Sequence, residues 1–433
     1  MKNLSFIAAL FLTLTACDQS LEQPNPSGQL PAAAQSTAVA GDPESFEGLR
    51  VDFTYASSAD LNAYKVYHHA RYKKQTAAQA GGTNTLLHTK KLPTEGTDPV
   101  VSPALDHLYT KAILDLSNGP VVLTLPEVDG RYFSLQVQDA EHYSIFDEIQ
   151  ASGNYVFFRK DQDVSGFNGA ALLEQRGDHP HVFIRIQIFQ DTPEEHAVID
   201  AIQDGMHLTG EVTQLDFELE DAFQWVLDTH EVYPQNEGLL EQRLGWTEAE
   251  QTAMFNWVAK FFVTTAEDNV GMFGPIDSTE AHSNDLVYRA AAIIGHLGFP
   301  VHHAYYTGTA VNCEGEPLVG GDNYRATVNW DQSDTIDGFW SVSRYSGLTM
   351  STLPGTNDVF NAYNTRPDSS GQVHIIFAPE EPSDLGEGEY WMKVNEGEPY
   401  YFVERLYQPK GGYGGQKLIV KNAQNVCGTP LND

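Results

Sequence analysis

The chain has 433 residues, with 59 Asp and Glu against 25 Lys and Arg, a formal net charge of -34. An acidic excess of this size repels nucleic acid and anionic lipid surfaces; it suits cation binding, or plain solvation in a saline medium. Hydrophobic residues at 41% and aromatics at 11% exclude global disorder, and three cysteines exclude both a disulfide-dense scaffold and a four-cysteine zinc site.

In chain order, Lys2 precedes an apolar run, Leu4 to Leu14, that is too short to span a bilayer. The run ends in Leu14-Thr15-Ala16-Cys17, which resembles the lipobox of bacterial lipoproteins. That resemblance implies removal of residues 1–16, acylation of Cys17 and anchoring to a lipid bilayer in the bacterial cell envelope, facing the periplasm or the outer surface. Residues 17–45 are rich in Pro, Gln, Ser, Ala and Gly without an apolar period and read as a flexible tether. Cys313 and Cys427 in an oxidising envelope read as a disulfide, with two buried free thiols as the alternative.

Leu61, Tyr64, His68 and Tyr72 recur at helical spacing, and Gly81-Gly82 stops the run, which predicts a helix over 58–80. The period then changes to two. Val121–Leu125, Tyr132–Val137, Tyr155–Phe158 and Val182–Ile188 read as strands separated by Gly, Pro, Asn and Asp turns. Thr192-Pro193-Glu194-Glu195 and Thr247-Glu248-Ala249-Glu250 are capping boxes that open helices, and Ser283 to Leu297 carries a third helical stripe. Strand patterns return at 324–328, 339–343, 373–377 and 401–407. The expected fold is mainly β with a helical insert. Residues 46–190 form a helix and β-sandwich, 191–304 a helical connection, and 305–433 a second sandwich.

The segments Asp106-His107-Leu108-Tyr109, Gly119-Pro120-Val121, Gly130-Arg131-Tyr132-Phe133-Ser134-Leu135-Gln136 and Asp139 are similar to a family of domains of unknown function, number twelve-fifty-four. Gly320-Gly321-Asp322-Asn323-Tyr324, Gly338-Phe339-Trp340 and Arg405-Leu406-Tyr407-Gln408-Pro409 resemble its usual partner, number twelve-fourteen. The resemblance implies two antiparallel, jelly-roll-like sandwiches joined by helices, and no particular activity. The chain departs from the pattern at Ala104 and His107, where the first family usually has Asn and Thr, and at Tyr390-Trp391-Met392 in the second. The motif residues Asp106, Tyr109, Arg131, Gln136, Asp139, Trp340 and Arg405 become the ligand-binding candidates, with structural pairing as the competing reading.

Other chemistry is weaker. No nucleophile elbow, P-loop or Gly-x-Gly-x-x-Gly occurs, so no cofactor is expected. There are 15 His, including the pairs His68-His69 and His302-His303, and His179 and His181 are spaced for one strand face, but Pro180 between them and the absence of His-Glu-x-x-His assign no metal. Asp161-x-Asp163-x-Ser165-Gly166 starts like a calcium loop but has Leu172 where a bidentate Glu is needed, so it reads as an acidic hairpin turn. Lys65, Arg71, Lys73 and Lys74 read as a solvated helix face pairing with the chain's own acidic surface. Three functional readings follow. One is a carbohydrate or small amphipathic ligand stacked on aromatics in a cleft near the two β domains. The second is a hydrolase using Asp106 and Asp139 with His107 as base. The third is an envelope scaffold.

Overall fold

The computed structural model describes residues 58–93, 102–251, 253–254, 296–300, 302–310, 312, 317–321, 324–348, 351–353 and 358–410. The signal and tether segments, Cys17, Cys313 and Cys427, and most of the second and third expected helices lie outside the described residues.

Helix α1 (Ser58–Ala80) is followed by β1 (Leu87–His88), β2 (His107–Ile113), β3 (Val121–Leu125), β4 (Phe133–Gln138), β5 (Ser144–Ile149), β6 (Gly153–Arg159), β7 (Ala171–Gln175) and β8 (His181–Gln187). Helix α2 (Pro193–Asp204), strand β9 (His207–Leu208) and helix α3 (Ala222–Thr229) come next. The second half holds β10 (Ala304–Thr309), β11 (Tyr324–Asn329), β12 (Trp340–Ser346), β13 (Val359–Asn361), β14 (Gln372–Ala378), β15 (Glu389–Lys393) and β16 (Tyr400–Tyr407).

The expected mainly-β architecture is present as two sandwiches. In the first, the sheet β1-β2-β8-β4-β5 lies over the sheet β7-β6-β3-β9. Leu108, Leu123, Phe133, Leu135, Phe157, Val182 and Ile184 fill the space between them. In the second, β10-β16-β12-β13 lies over β11-β14-β15, with Trp340, Val342, Val373, Ile375 and Phe402 in its core. Pairing is antiparallel except for β6 with β7 and β14 with β15, which run parallel. The acidic loop at 161–166 therefore lies in a crossover and not a hairpin; there Asp163 Oδ1 accepts from Ser165 N at 2.9 Å in an exposed turn.

The first capping box forms in part. Thr192 Oγ1 accepts from Glu195 N at 3.3 Å with Pro193 in the first turn, but the Glu195 carboxylate accepts from Phe189 N and Arg131 instead of closing back on Thr192. Helix α2 then buries Ile199 in the first sandwich, so the start of the expected connecting region packs on that sandwich, and β9 pairs with β3. The second box closes fully, because Glu250 Oε2 accepts from Thr247 N at 2.7 Å while Thr247 Oγ1 accepts from Glu250 N at 3.2 Å. Helix α1 packs Leu61, Tyr64 and Tyr67 against Phe223 and Val226 of α3 and against Trp246.

One feature of the strands positions the site. Strands β2, β4 and β8 are buried along their whole length, on both faces. Leu108, Ala112, Phe133, Leu135, Val137, Val182, Ile184 and Ile186 face the sandwich core. The alternate residues put His107, Tyr109, Lys111, Ser134, Gln136, Gln138, His181, Phe183 and Arg185 on the opposite face. In most antiparallel sheets that polar face meets water. Here α1, residues 296–300 and the second sandwich cover it: Lys111 donates to Tyr72 of α1 at 2.8 Å, Gln136 to Gly298 O at 3.2 Å, and Tyr407 of β16 to Asp106 at 2.9 Å.

Candidate metal centre

The covered face holds an imidazole cluster. Helix α1 supplies His69, the β4–β5 turn supplies His142, and the segment before β10 supplies His296. One nitrogen from each lies within 4.8 Å of those from the other two. The rings of His142 and His296 stack with centroids 4.5 Å apart, and His69 sits 4.6 Å from His142 and 5.3 Å from His296. His181, the first residue of β8, lies 5.4 Å from His69. His142 adopts φ 62, a left-handed conformation that tightens the turn and brings its ring to the others.

All four histidines are buried, yet among the described residues none of their eight ring nitrogens has a hydrogen-bond partner. Burial, followed by neighbouring charge, pushes all four well below the usual imidazole value and keeps them neutral with free lone pairs. An unbonded buried ring nitrogen costs about 1–3 kcal/mol, so the arrangement is expensive unless something binds it. Three neutral imidazoles without thiolate or carboxylate suit a borderline divalent ion such as Zn²⁺ and not Mg²⁺ or Ca²⁺.

The surroundings are cationic. Lys65, Lys73, Lys111 and Arg185 are buried, although the sequence placed Lys65 and Lys73 on a solvated helix face. Helix α1 is covered on that side too, which is why the expectation fails. The Lys73 ammonium donates to Asp139 O at 3.2 Å and to His179 O at 2.5 Å, and burial lowers it to about 7. Arg185 donates to Gln136 Oε1 at 2.7 Å and to Leu297 O, and lies 3.8 Å over the Phe299 ring.

A second group sits further along the same face. Asp147 Oδ1 is 2.5 Å from His302 Nε2 and 2.8 Å from His303 Nε2, while His303 Nδ1 is 2.6 Å from the Tyr132 hydroxyl. Burial would raise the Asp147 carboxyl, but the two imidazoles outweigh it and hold it well below the usual range. Each inward nitrogen is already bonded, so this group reads as a clasp between β5 and the start of the second sandwich.

The sequence-derived candidates disperse. Asp106 and Arg405 meet at the seam between sandwiches. Asp106 Oδ1 lies 2.6 Å from His107 Nδ1; burial raises its carboxyl, yet the His107 contact outweighs this and lowers it to about 2. Arg405 donates to Ser343 Oγ at 3.1 Å, Ser102 O at 2.8 Å and the Tyr345 hydroxyl at 3.0 Å. Tyr109 anchors its hydroxyl on the Ala104 backbone at 3.1 Å, and Gln136 holds Arg185. Arg131 pairs with Glu195 at 2.7 Å and not with Asp139. Asp139 Oδ1 accepts from Glu141 N and Tyr143 N, both at 2.9 Å, which fixes the turn that carries His142. Trp340 points into the second core and donates to Trp330 O at 3.0 Å.

The register separates the two carboxylates of the hydrolase reading. His107 pairs with Gln187, whereas Ile113 and Gln138 both pair with His181. Asp106 and Asp139 thus flank opposite ends of the sheet, facing positions 188 and 180 of the strand between them and roughly 26 Å apart at about 3.3 Å per residue, beyond the reach of any paired-carboxylate mechanism. His179 and His181 also part: His179 stacks on Trp225 at 5.2 Å and lies 3.0 Å from Leu114 O, and only His181 faces the cluster. The sequence reading missed His142 and His296. They come from separate segments without a common motif, and the only sign of them was the number of histidines.

Residues 83–210 match the family described as "Protein of unknown function (DUF1254)", and residues 303–411 match "Protein of unknown function (DUF1214)". No curated protein matches the chain. The crystal structure of the VPA0106 protein from Vibrio parahaemolyticus is similar, with a TM-score of 0.62 at 16% identity, covering 81% of this chain and 94% of that one. A putative uncharacterized protein from Burkholderia cenocepacia aligns at TM-score 0.45 and 15% identity, over 94% of this chain and 93% of its own. The ordered pair of motifs, the two matched segments and the two sandwiches agree: the chain carries a DUF1254 domain followed by a DUF1214 domain.

Proposed function

We propose that the protein binds a borderline divalent transition metal through His69, His142 and His296. The observation that supports this most is six buried ring nitrogens without a hydrogen-bond partner among the described residues, on three histidines that converge from separate segments. Three imidazoles leave a fourth position open, as in zinc sites that bind an exchangeable ligand. Titration of metal-free protein with Zn²⁺ or Co²⁺ tests it. One equivalent should bind, and His296→Ala should weaken binding by at least about a hundredfold, above the loss seen for an outer hydrogen-bond partner. Wild-type affinity in His296→Ala, or no binding in either protein, counts against the proposal.

A second reading keeps a small-molecule ligand, now in a different place from the candidate residues. A cavity of about 680 Å³ lies between the two halves, lined by Phe189, Asp191, Asn361, Asn364, Trp391 and Lys393 among others. An aromatic wall with amide groups suits a carbohydrate or small amphipathic molecule. Trp391→Ala should abolish any thermal shift that an oligosaccharide panel produces with wild type; no shift across the panel removes this reading.

The envelope location is part of the proposal and rests on the lipobox at Leu14 to Cys17. Labelled palmitate should enter the wild-type chain in a bacterial host and not Cys17→Ser; equal labelling of both would refute it.

A further inference from the structure

We propose that the cavity between the two halves takes a short acidic sugar, a uronate whose carboxylate pairs with Lys393 while its ring lies against Trp391. This rests on the cavity reading above and adds the charge of the ligand.

Strand β15 builds one wall of the cavity. It lies at the edge of its sheet, beside β14, and Met392 and the following Val394 sink into the second core. The alternate residues Trp391 and Lys393 therefore share the opposite strand face, and both line the cavity of about 680 Å³. The Trp391 indole N–H donates to Ala378 O at 2.9 Å, which fixes the ring in the wall. Phe189, just beyond β8 of the first sandwich, lines the same space.

The polar groups of this wall with bonding capacity to spare are donors. Lys393 is the one cation among the described lining residues. It is half-buried, and with 59 acidic side chains in the sequence its ammonium pairs with none among the described residues. Asn361, the last residue of β13, is 2% exposed and lines the cavity too. Its Oδ1 accepts from Tyr363 N at 2.8 Å and Asn364 N at 3.0 Å, which leaves the Nδ2 amide as an unspent donor. The carboxylates of the lining are engaged: Asp358 pairs with Arg344, and Asp191, 68% exposed, lies 2.6 Å from His196 Nε2. An ammonium drawn partly out of water without a partner is costly, and neither it nor an amide N–H has a lone pair to offer a ligand. The group that matches them is a carboxylate, which takes charge-assisted hydrogen bonds from both. Trp391 and Phe189 match the apolar face of the sugar ring that carries it.

The test is calorimetric titration of the full chain with short oligomannuronates and oligogalacturonates, and with neutral manno- and galacto-oligosaccharides of the same length. Wild type should bind at least one oligouronate saturably, and its neutral counterpart at least about tenfold more weakly, the scale of one charge-assisted hydrogen bond. Lys393→Met should remove that difference by weakening the uronate alone, and Trp391→Ala should weaken both sugars. Neutral sugars bound as tightly as uronates overturn the inference and leave the cavity reading standing, and so does a preference for uronate that survives in Lys393→Met. Uronate affinity unchanged in Trp391→Ala places the binding outside the cavity and overturns the inference as well. Binding of neither kind of sugar refutes the cavity reading itself, and the carboxylate with it.

Discussion

A buried imidazole held neutral makes the molecule answer to acid. His69, His142, His181 and His296 sit well below their usual 6.5 in the fold, and each regains that value when the chain unfolds. Below pH 6.5 the unfolded chain therefore binds more protons than the folded one, so stability is present above that pH and lost as pH falls. The slope is about 1 kcal/mol per histidine per pH unit. Chemical denaturation of metal-free protein should show a steep loss between pH 6.5 and 5, and His181→Phe should flatten it; a pH-independent midpoint would contradict this. Lys73 responds in a different window. Its ammonium is lowered to about 7 from 10.5, so its penalty is fully present below pH 7 and relieved as pH rises toward 10. Lys73→Met should reduce the gain in stability between pH 7 and 10.

At the scale of elements, α2 shows how one short motif divides its work. Thr192 caps the helix, while Glu195 leaves the box to hold Arg131 and Phe189 N. Thr192→Ala should cost about 1 kcal/mol, the usual value of a cap. Glu195→Ala should cost about 3 kcal/mol, because it also strands a mostly buried guanidinium. Equal losses in urea denaturation would mean that the Arg131 pair contributes nothing. The same scale explains what was readable. Helix α1 was predicted over the span it occupies, because its apolar spacing and the Gly81-Gly82 stop are local. The burial of Lys65 and Lys73 was not, because it depends on a sheet face and a turn far along the chain.

Across the whole molecule, the two sandwiches meet through a polar seam. Tyr407 reaches Asp106, Arg405 reaches Ser102 O, the Tyr345 hydroxyl donates to Pro103 O at 2.6 Å, and Tyr132 contacts His303. Aromatic rings of Tyr132, Phe299, Phe339 and Tyr407 fill the space beside these bonds. Such a seam couples the halves, so calorimetry should show one transition for wild type and two for Arg405→Met combined with Tyr407→Phe. A single transition in the double variant would place the coupling elsewhere. Asp106, Arg405 and Tyr407 lie in the motifs that marked the two domains in the sequence, and the seam gives those motifs a physical role.

Strand periodicity, turn residues and two capping boxes are local, and from them the sequence alone determined a mainly-β chain of two sandwiches with helices between. Ordered motifs identified both domains before any contact was known. Which polar residues share a site was decided only by tertiary structure. The register put Asp106 and Asp139 at opposite ends of one sheet, and it turned His181 inward while His179 went to Trp225. Alternation told which residues leave the core face. That this second face is itself buried, and so leaves His69, His142 and His296 neutral and unbonded, follows from what packs over it, and packing over a face is not written in the period of a strand.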